Sequence, residues 1–405
     1  TALRRAIAGS KYVQDFIVLS QDDVLDLIMA RHPEQALTQS ILRQVDLSVV
    51  SPFVTKGPVP ETMFFGRDAE VKKLVEGAGR ADFALVGNRK IGKTSLLKRA
   101  RARLQEQAHV RALAVDCQTV RQAEDFYTAF QSQTALTLPA PSPEGLEEVF
   151  RTLTTTGVVP VLFMDEVDAL LNHEKAHGER LVTKWRQMAQ AGMCRFVFCG
   201  STGLARRLSE PGSPFFNFPQ EVRLGYLAPE VAWQVLSKPL ETLGIEIERP
   251  EALREHLIQA TSGHPNLVQY VGAGLVNLIN ERRERRILTA DLDRLRASND
   301  YVEHYLQTVW GEAGPLEKLI TLVAPGSGFR LGDIEQALAE REVRAGDEDV
   351  DAALKMLLVY MILDKQDRTY TFIPAAFHEI LHRTQEVDRL IAQEARRLAD
   401  AQGSA

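Results

Sequence analysis

Hydrophobic and polar positions change their spacing several times along this chain of 405 residues. Up to about residue 50, apolar residues recur at intervals of three and four, as in QDDVLDLIMARH and ALTQSILRQVDL, which predicts amphipathic helices. Further along, short apolar runs typical of buried strands alternate with helical patterns. These runs are FALVG, VRALAVD, VVPVLFMDE, CRFVFCGST and EVRLG. The alternation predicts a mainly parallel sheet that is covered on both faces.

The second half of the chain predicts helices and one hairpin. Residues 229–286 have a helical pattern throughout, with Pro229 and Pro250 at positions typical of a first turn. The later segments PLEKLITLVA, LGDIEQALAE and DEDVDAALKMLLVYM predict three more helices, and MILDKQDRTYTFI predicts two short strands around a polar turn. Three helices and a hairpin favour a winged helix. The last segment, AQEARRLADAQGSA, predicts a helix that frays into a tail.

These changes of pattern divide the chain into five predicted parts. Residues 51–60, SPFVTKGPVP, contain three prolines and a glycine, which is typical of a linker. The parts are an N-terminal helical segment with this linker (1–56), an α/β core (57–226), a helical lid (227–300), a winged helix (301–387), and a C-terminal helix and tail (388–405). Because the chain begins at Thr1 and not at a methionine, one interpretation is that it is a fragment of a longer protein.

Composition and charge narrow the classes of function. The net charge of -6 gives no general positive field for nucleic acid. No apolar run approaches the roughly 18 residues that a membrane-spanning helix needs, and no secretory signal is visible. The cysteines Cys117, Cys194 and Cys199 lie in apolar runs without metal-ligand spacing, so we expect buried thiols in a reducing compartment. These features predict a cytoplasmic protein without a membrane partner.

The stretch ALVGNRKIGKTSLLKRA predicts a phosphate-binding loop. Residues 83–86 predict a buried strand, residues 95–104 predict a helix, and two glycines between them bracket the pattern G-x-x-x-x-G-K-[ST]. Glycines bring backbone N–H groups close to a ligand, and the helix adds the positive end of its dipole. Lys93 can reach the terminal phosphates, and the Thr94 hydroxyl can bind Mg²⁺. The predicted binding residues are Gly87, Asn88, Arg89, Lys90, Ile91, Gly92, Lys93, Thr94 and Ser95.

The stretch VVPVLFMDEVDAL predicts the carboxylates that would work with this loop. A buried strand that ends in two carboxylates is costly unless the charges have partners. Asp165 is placed to hold the Mg²⁺ shell, and Glu166 to orient or deprotonate the attacking water. The alternative is a strand that simply ends in polar residues. The phosphate loop about 70 residues earlier makes the functional pair the stronger interpretation.

Further candidates follow the fourth predicted strand. Ser201, near the end of CRFVFCGST, can lie beside the γ-phosphate and report its presence, or it can simply cap the next helix. We count it with Lys93 and Glu166 as a predicted catalytic residue. Arg206 and Arg207 could act as an arginine finger toward a neighbouring subunit. A solvated helix face is the interpretation that we favour for both arginines.

Together with MFFGRDAEVKKL before the first strand, these motifs resemble the STAND and archaeal-ATPase group of P-loop NTPases, relatives of AAA+ proteins of the origin-recognition initiator type. TSGHPNLVQYV resembles the G-x-P motif of that group's lid, and FIPAAFHEIL resembles its closing segment. The resemblance covers residues 57–385 and implies an α/β P-loop NTPase core with a helical lid and a winged helix. It also implies that Phe65, Gly66 and Arg67 border the adenine, that Pro265 packs against the base, and that ATP or ADP binds with Mg²⁺.

The chain departs from that group at two places. SPFFNFPQEVRL has no arginine where some relatives carry one, and the C-terminal part lacks the Met-His-Asp triplet of the better-known signalling members. We therefore expect slow hydrolysis. The resemblance implies an ATP-dependent switch, of signalling or defence type, that acts on an effector or sensor outside this chain, and a homo-oligomer is compatible with it. The alternatives are a DNA-acting ATPase, of origin-recognition or transposition-helper type, and a scaffold that binds nucleotide without hydrolysing it.

The charge of the predicted winged helix argues against DNA. Groove readers usually place Arg, Lys, Asn or Gln on the recognition helix. The candidate helix here opens with four acids and has a single base; these residues are Asp347, Glu348, Asp349, Asp351 and Lys355. The most basic stretch, ERRERR, mixes both signs and is typical of a solvated helix end. We expect a packing or partner module, with DNA as the less favoured partner.

Overall fold

The computed structural model describes residues 17–42, 44–383 and 386–403. Its first elements confirm the predicted N-terminal helices; they are α1 (Gln21–Met29), α2 (Pro33–Leu42) and the short α3 (Leu47–Val50). Ser20 caps α1, because its hydroxyl accepts the Asp23 backbone N–H. The Gln44 side chain closes the pair α1–α2 by bonding both backbone groups of Val18, at 2.9 and 2.7 Å.

The α/β core confirms the predicted parallel sheet. Its strands are β1 (Phe83–Val86), β2 (Val110–Asp116), β3 (Val159–Asp165), β4 (Arg195–Gly200) and β5 (Gln220–Arg223). They are all parallel, in the order β2-β3-β4-β1-β5. The carboxyl ends of β1, β3 and β4 therefore meet at one edge of the sheet, where open α/β sheets bind ligands. The predicted phosphate loop and both predicted carboxylates follow strands that end at this edge.

Helices cover both faces of the sheet, as the apolar strands require. The helices of the core are α4 (Asp68–Gly77), α5 (Lys93–Gln105), α6 (Ala123–Thr134), α7 (Pro143–Thr155), α8 (Asp168–Ala176), α9 (Arg180–Gln190) and α10 (Thr202–Ser209). One face is packed by α4 and α5, and the other by an aromatic cluster that includes Phe126, Phe150 and Trp185. The three cysteines are buried and free, as predicted.

The lid region is helical except at one place, and there the prediction of a wholly helical segment was wrong. Its helices are α11 (Pro229–Thr242), α12 (Pro250–Thr261), α13 (Pro265–Arg282), α14 (Thr289–Ala297) and α15 (Asn299–Trp310). Two two-residue strands, β6 (Glu246–Ile247) and β7 (Arg286–Ile287), pair in parallel. The segments that leave α11 and α13 run side by side, so their backbones bond to each other in place of continuing as helix.

The C-terminal region has the predicted three helices and hairpin of a winged helix. Its elements are α16 (Pro315–Val323), α17 (Leu331–Ala339), α18 (Asp347–Val359), β8 (Leu363–Gln366), β9 (Thr369–Phe372), α19 (Phe377–Arg383) and α20 (Val387–Gly403). The hairpin is antiparallel, and Phe329 adds a bridge to Tyr370 of β9. Within the described ranges, no helix has the length and apolarity that crossing a bilayer requires.

One hydrophobic cluster runs through the N-terminal segment, the lid and the winged helix. It includes Leu47 and Phe53, Leu275 of α13, and Leu319 and Leu357 of the winged helix. The five-part division of the chain therefore stays a prediction. Residues 51–60 do not form a free linker, because this stretch packs into the crevice between the lid and the core.

Candidate functional site

A cavity of about 360 Å³ lies between the core and the lid at the carboxyl edge of the sheet. Part of its wall is apolar and includes Phe65, Val235 and Pro265. Another part is polar and includes Lys93, Thr94, Ser95 and Glu166. An apolar slot joined to a polar end is the composition that a nucleotide needs, because its base is flat and weakly polar and its phosphates are charged.

The predicted phosphate loop follows β1 and forms the polar end. Gly92, with φ at 97°, lets the chain turn directly into α5, which begins at Lys93 and not at the predicted Ser95. The buried Lys93 ammonium donates to the Gly87 and Asn88 carbonyls at 2.9 and 3.0 Å. Since an ammonium has three N–H donors, one remains for a ligand. The first N–H groups of α5 add an anion-binding end to the same cavity.

The carboxylate pair lies where β3 ends. Asp165 is buried, and its Oδ1 accepts the Glu166 backbone N–H at 3.1 Å. Glu166 lines the cavity in a left-handed backbone conformation, with φ at 53°. Burial raises the pKa of the Glu166 carboxyl above its ordinary value, whereas the charge of Lys93 acts in the opposite direction. A raised pKa makes this carboxylate a better proton acceptor.

Asp168 fixes the turn that carries Ser201. One carboxylate oxygen accepts the Ser201 backbone N–H at 2.8 Å, and the other accepts a backbone N–H of α10 at 2.9 Å. A Cβ at Gly200 or Gly203 would come within 2.8 Å of this carboxylate, so both glycines allow its close approach. Ser201 follows Gly200, which pairs with Val86 immediately before the phosphate loop. Sequence reasoning missed Asp168, although an acid three residues after Asp165 was the available signal.

The predicted Phe-Gly-Arg turn reaches the cavity at two of its three positions. Phe65 and Arg67 line the wall, whereas Gly66 does not. The Arg67 guanidinium donates to the carbonyl of Gly225 just beyond β5. Gly66 has φ at 66°, and a Cβ there would lie 2.7 Å from a methyl carbon of Val231 in the lid. Glycine is therefore needed at this position for close packing between the core and the lid.

Residues 54–59, which we call the strap, form a third wall of the cavity. On the lid side, the Gln269 side chain accepts the Val54 N–H at 3.0 Å, and Asn266 donates to the Thr55 carbonyl at 2.9 Å. On the core side, the Ser95 hydroxyl accepts a strap N–H at 3.1 Å. Sequence reasoning missed this wall, because the prolines indicate a linker and nothing nearby in the chain indicates its partners.

The phosphate loop also contacts the winged helix region. The buried Asn88 side chain donates to the Tyr360 carbonyl at 3.0 Å, just beyond α18. Arg89 pairs with Glu312 at 3.4 Å. The Tyr360 hydroxyl donates to the carbonyl of the same Glu312 at 2.8 Å. Two consecutive loop residues are thus bonded to the part of the chain that follows the lid.

The structure brings most of the predicted site residues together. Those in the cavity wall are Phe65, Arg67, Arg89, Lys90, Ile91, Gly92, Lys93, Thr94, Ser95, Glu166 and Pro265. Those outside the wall are Gly66, Gly87, Asn88, Asp165 and Ser201. Gly87 and Asn88 still touch Lys93 through their carbonyls, and Asp165 touches Glu166. Gly66 and Ser201 make no hydrogen bond to a wall residue in the described part of the chain.

Two oxygen donors fit Mg²⁺ together with a nucleotide: Thr94 lines the cavity, and Asp165 lies behind the wall in contact with Glu166. Asp165 offers a carboxylate and Thr94 a hydroxyl, which are the hard oxygen ligands that Mg²⁺ prefers. No group of three or more His, Cys, Asp or Glu residues within the described ranges could hold a metal alone. Mg²⁺ is usually bound by one or two protein groups together with phosphates and water. The donor set therefore suits a metal that arrives with phosphates.

Of the two arginines after β4, Arg206 has a solvated side chain and Arg207 does not. Arg207 is buried in ion pairs with Glu179 and Glu210. Arg206 remains exposed at its end but contacts Met356 of α18 at 3.5 Å. The favoured interpretation was therefore wrong for Arg207, which has a structural role.

The arginines Arg282 and Arg286 of the basic stretch ERRERR pair with acids on neighbouring elements. Arg282 makes two hydrogen bonds to Asp291, at 2.6 and 3.0 Å, and Arg286 pairs with Glu248 at 3.1 Å. These bonds hold the end of α13 and the start of β7 against neighbouring elements. The pairs agree with the sequence interpretation of an ordinary mixed-charge helix end.

Comparisons with known proteins agree with this geometry. Residues 79–208 match the family model of the AAA domain. The fold is similar to that of the ORC2 protein of Aeropyrum pernix in its ADPNP–ADP complexes, with 16% identity, a TM-score of 0.60, and coverage of 87% of this chain and 98% of that one. It is also similar to a Walker-type ATPase of Pyrococcus abyssi, with 19% identity, a TM-score of 0.59, and coverage of 82% and 99%. No protein with a curated description matches the sequence. Identities this low bear on the fold alone.

Proposed function

Since residues 79–208 form a P-loop NTPase domain of the AAA type, we propose that this chain is a switch that binds ATP with Mg²⁺ and hydrolyses it slowly. The observation that carries the proposal is that the phosphate loop contacts both the cavity and the region of the winged helix. The phosphate loop lines the cavity, and its Asn88 and Arg89 hold the region around the winged helix. A ligand that moves this loop would act on the distant domain directly.

ATP would lie across the cavity with its adenine in the apolar slot. Phe65, Val235 and Pro265 supply the surfaces that a base packs against. The phosphates would face the start of α5 and the free donor of Lys93. Asp165 and Thr94 would hold Mg²⁺. The metal would neutralise charge that develops on the phosphate oxygens.

Hydrolysis would use Glu166 as the proton acceptor. As the water oxygen bonds to the γ-phosphorus, the bond from phosphorus to the bridging oxygen breaks, and the water proton passes to Glu166. The products are ADP and inorganic phosphate. Ser201, held next to the loop by Asp168, would sense the γ-phosphate. We expect slow turnover, because SPFFNFPQEVRL has no arginine where some relatives carry one and because Arg207 is buried in ion pairs.

The switch would depend on the γ-phosphate. The Glu312 carboxylate pairs with Arg89 at the same loop that would receive the phosphates. A triphosphate adds negative charge there and competes with Glu312 for Arg89. The winged helix would therefore have two states, docked on the core and released from it, and these would differ in their affinity for ATP. Such a difference is what a ligand needs to shift a conformational equilibrium. An effector or sensor outside this chain would respond to the change.

DNA is the less favoured partner in this proposal. The helix that would read a groove, α18, contacts Arg206 of the core through Met356. Its first turn contains Asp347, Glu348 and Asp349, which would repel phosphates. Tight, salt-sensitive binding of duplex DNA would favour the DNA-acting alternative instead.

The proposal is tested by nucleotide binding and turnover. We expect Lys93→Ala to weaken the binding of labelled ATP by at least about tenfold, because a charge-assisted contact is lost. We expect Glu166→Gln to bind ATP like the wild type but to turn it over about 100-fold more slowly. Equal affinity in Lys93→Ala and the wild type would overturn the proposal. If wild type and Glu166→Gln were equally inert while ATP bound, the non-hydrolysing scaffold would be the correct function.

A further inference from the structure

The lid helix α13 connects the cavity with the N-terminal helices. Its 18 residues span roughly 27 Å at 1.5 Å per residue. At its start, Asn266 and Gln269 line the cavity. Near its end, the Asn280 side chain accepts the Leu47 N–H of α3 at 3.0 Å. One rigid element therefore touches the proposed nucleotide and the N-terminal segment at once.

Phe53 is seated on this helix at Gly272. A Cβ at Gly272 would lie 2.3 Å from Cε1, 2.5 Å from Cδ1 and 2.6 Å from Cζ of the Phe53 ring. Only glycine leaves room for such a contact. Glycine inside a helix is destabilising relative to alanine, and this glycine has no positive φ that would require it. The ring of Phe53 supplies the physical reason for glycine at this position.

The strap begins directly after Phe53. Its first residues, Val54 and Thr55, bond to Gln269 and Asn266 of the same helix. These bonds form only if the chain leaves Phe53 at the correct height along α13. Seating of the ring therefore determines where the strap crosses the cavity.

We propose that Phe53, seated on Gly272, is a positioning residue for the nucleotide: it fixes the strap as a wall of the cavity and joins the N-terminal helices to the lid. The inference rests on the proposed binding of an adenine nucleotide. A nucleotide in the cavity would in turn cover the inner side of the strap, which includes Lys56 and Gly57. The strap would then be held from both sides.

Trypsin provides a direct probe, because the bond after Lys56 lies within the strap. In the wild type, ADP with Mg²⁺ at ten times its Kd should slow cleavage of this bond about tenfold, if cleavage requires the strap to leave its place. The bond between Arg368 and Thr369, in the hairpin turn outside the cavity wall, is the internal control. Its cleavage rate should not change with ADP.

Gly272→Ala tests the seat itself. The added methyl group would displace the ring, so we expect cleavage after Lys56 to become about tenfold faster and ADP binding to weaken about tenfold. Adding Phe53→Leu to Gly272→Ala makes room and should restore most of both properties. Gly274→Ala is the matched control, since its Cβ would meet only the flexible end of Leu295, 2.8 Å away. This control should behave like the wild type.

The outcomes separate this inference from the proposed function. If Gly272→Ala binds ADP and is cleaved like the wild type, or if ADP does not protect the strap, the inference is wrong while the proposed function stands. If the wild type binds no nucleotide, both fail. Should Gly272→Ala not fold, Phe53→Ala removes the ring without adding atoms and should show the same two effects. Wild-type behaviour of Phe53→Ala would overturn the inference.

Discussion

Asp82 places a carboxylate in the core immediately before β1. Its Oδ1 accepts the Phe196 backbone N–H at 2.8 Å, which ties the start of β1 to β4. Arg195 lies 3.7 Å from the other oxygen. Burial raises the pKa of this carboxyl to about 6, against the effects of both partners. The folded state therefore holds the proton more tightly than the unfolded state does.

The pH dependence of stability follows from this difference. The unfolded carboxyl ionises near pH 4 and the folded one near pH 6, so the group's contribution is lost as pH rises through that window. Asp82→Asn keeps an acceptor for the Phe196 N–H and cannot ionise. We expect its unfolding free energy, relative to the wild type, to rise by about 2 kcal/mol between pH 4 and pH 7. Urea unfolding at both pH values measures this quantity, and a constant difference would contradict it.

Residues whose partners are near in sequence were the ones that the sequence could assign. Gly92, Lys93 and Thr94 are consecutive, so their motif reports the geometry of one turn. Asn88 belongs to the same motif, but its partner Tyr360 lies 272 positions away. A local sequence motif does not extend over such a separation, so this contact can be identified only from the fold.

Helices and strands, like single residues, could be predicted where the pattern that determines them is local in the sequence. Strands β1 to β4 could be predicted because each is a short apolar run that is largely buried. The edge strand β5 buries only Val222 of its four residues. The strap was misjudged, because Pro58, and Pro60 just after the strap, favour extended backbone in a linker and in a packed wall alike. Its position is set by Gln269 and Asn266, more than 200 positions later. β6 and β7 were missed for a similar reason, since each is two residues long and depends on the other.

The contact between the phosphate loop and the end of α18 gives an element-scale prediction. Asn88→Ala removes the hydrogen bond to the Tyr360 carbonyl, which is worth about 1 kcal/mol. We expect amide hydrogen exchange at the end of α18 to become about fivefold faster, because local opening is easier by that amount. Exchange in β3, at the centre of the sheet, should stay unchanged.

Tyr360→Phe is the matched control for this experiment. It keeps the carbonyl that Asn88 bonds and loses the hydroxyl, which contacts the Glu312 carbonyl and the Thr202 side chain. Its effect should therefore leave the Asn88 bond intact, and a double-mutant cycle with Asn88→Ala measures how strongly the two contacts are coupled. Unchanged exchange in α18 after Asn88→Ala would mean that the loop does not hold the winged helix.

At the scale of the whole molecule, the shared core explains why nucleotide state could reach distant surfaces. The cluster that contains Phe53 and Leu275 also contains Leu357 of α18. A densely packed core does not deform gradually, so small changes at one site favour a change between discrete arrangements. In the proposed switch, the net charge of -6 and the acidic start of α18 would favour a protein partner over DNA.

The docked arrangement should therefore depend on which nucleotide is bound. Glu166→Gln would retain ATP, because it lacks the proton acceptor, and so would isolate the triphosphate state. To change the docked fraction from mostly docked to mostly released, ATP must favour the released state by several kcal/mol, on the order of 10⁴ in affinity ratio for a complete switch.

We expect amide exchange in α10, which contacts α18 through Arg206, to be faster with ATP than with ADP. Lys93→Ala, which cannot grip the phosphates, should show no difference between the two nucleotides. If amide exchange in α10 of Glu166→Gln were equal with saturating ATP and with saturating ADP, nucleotide binding would not be coupled to docking of the winged helix. The chain would then be an ATPase without a switch.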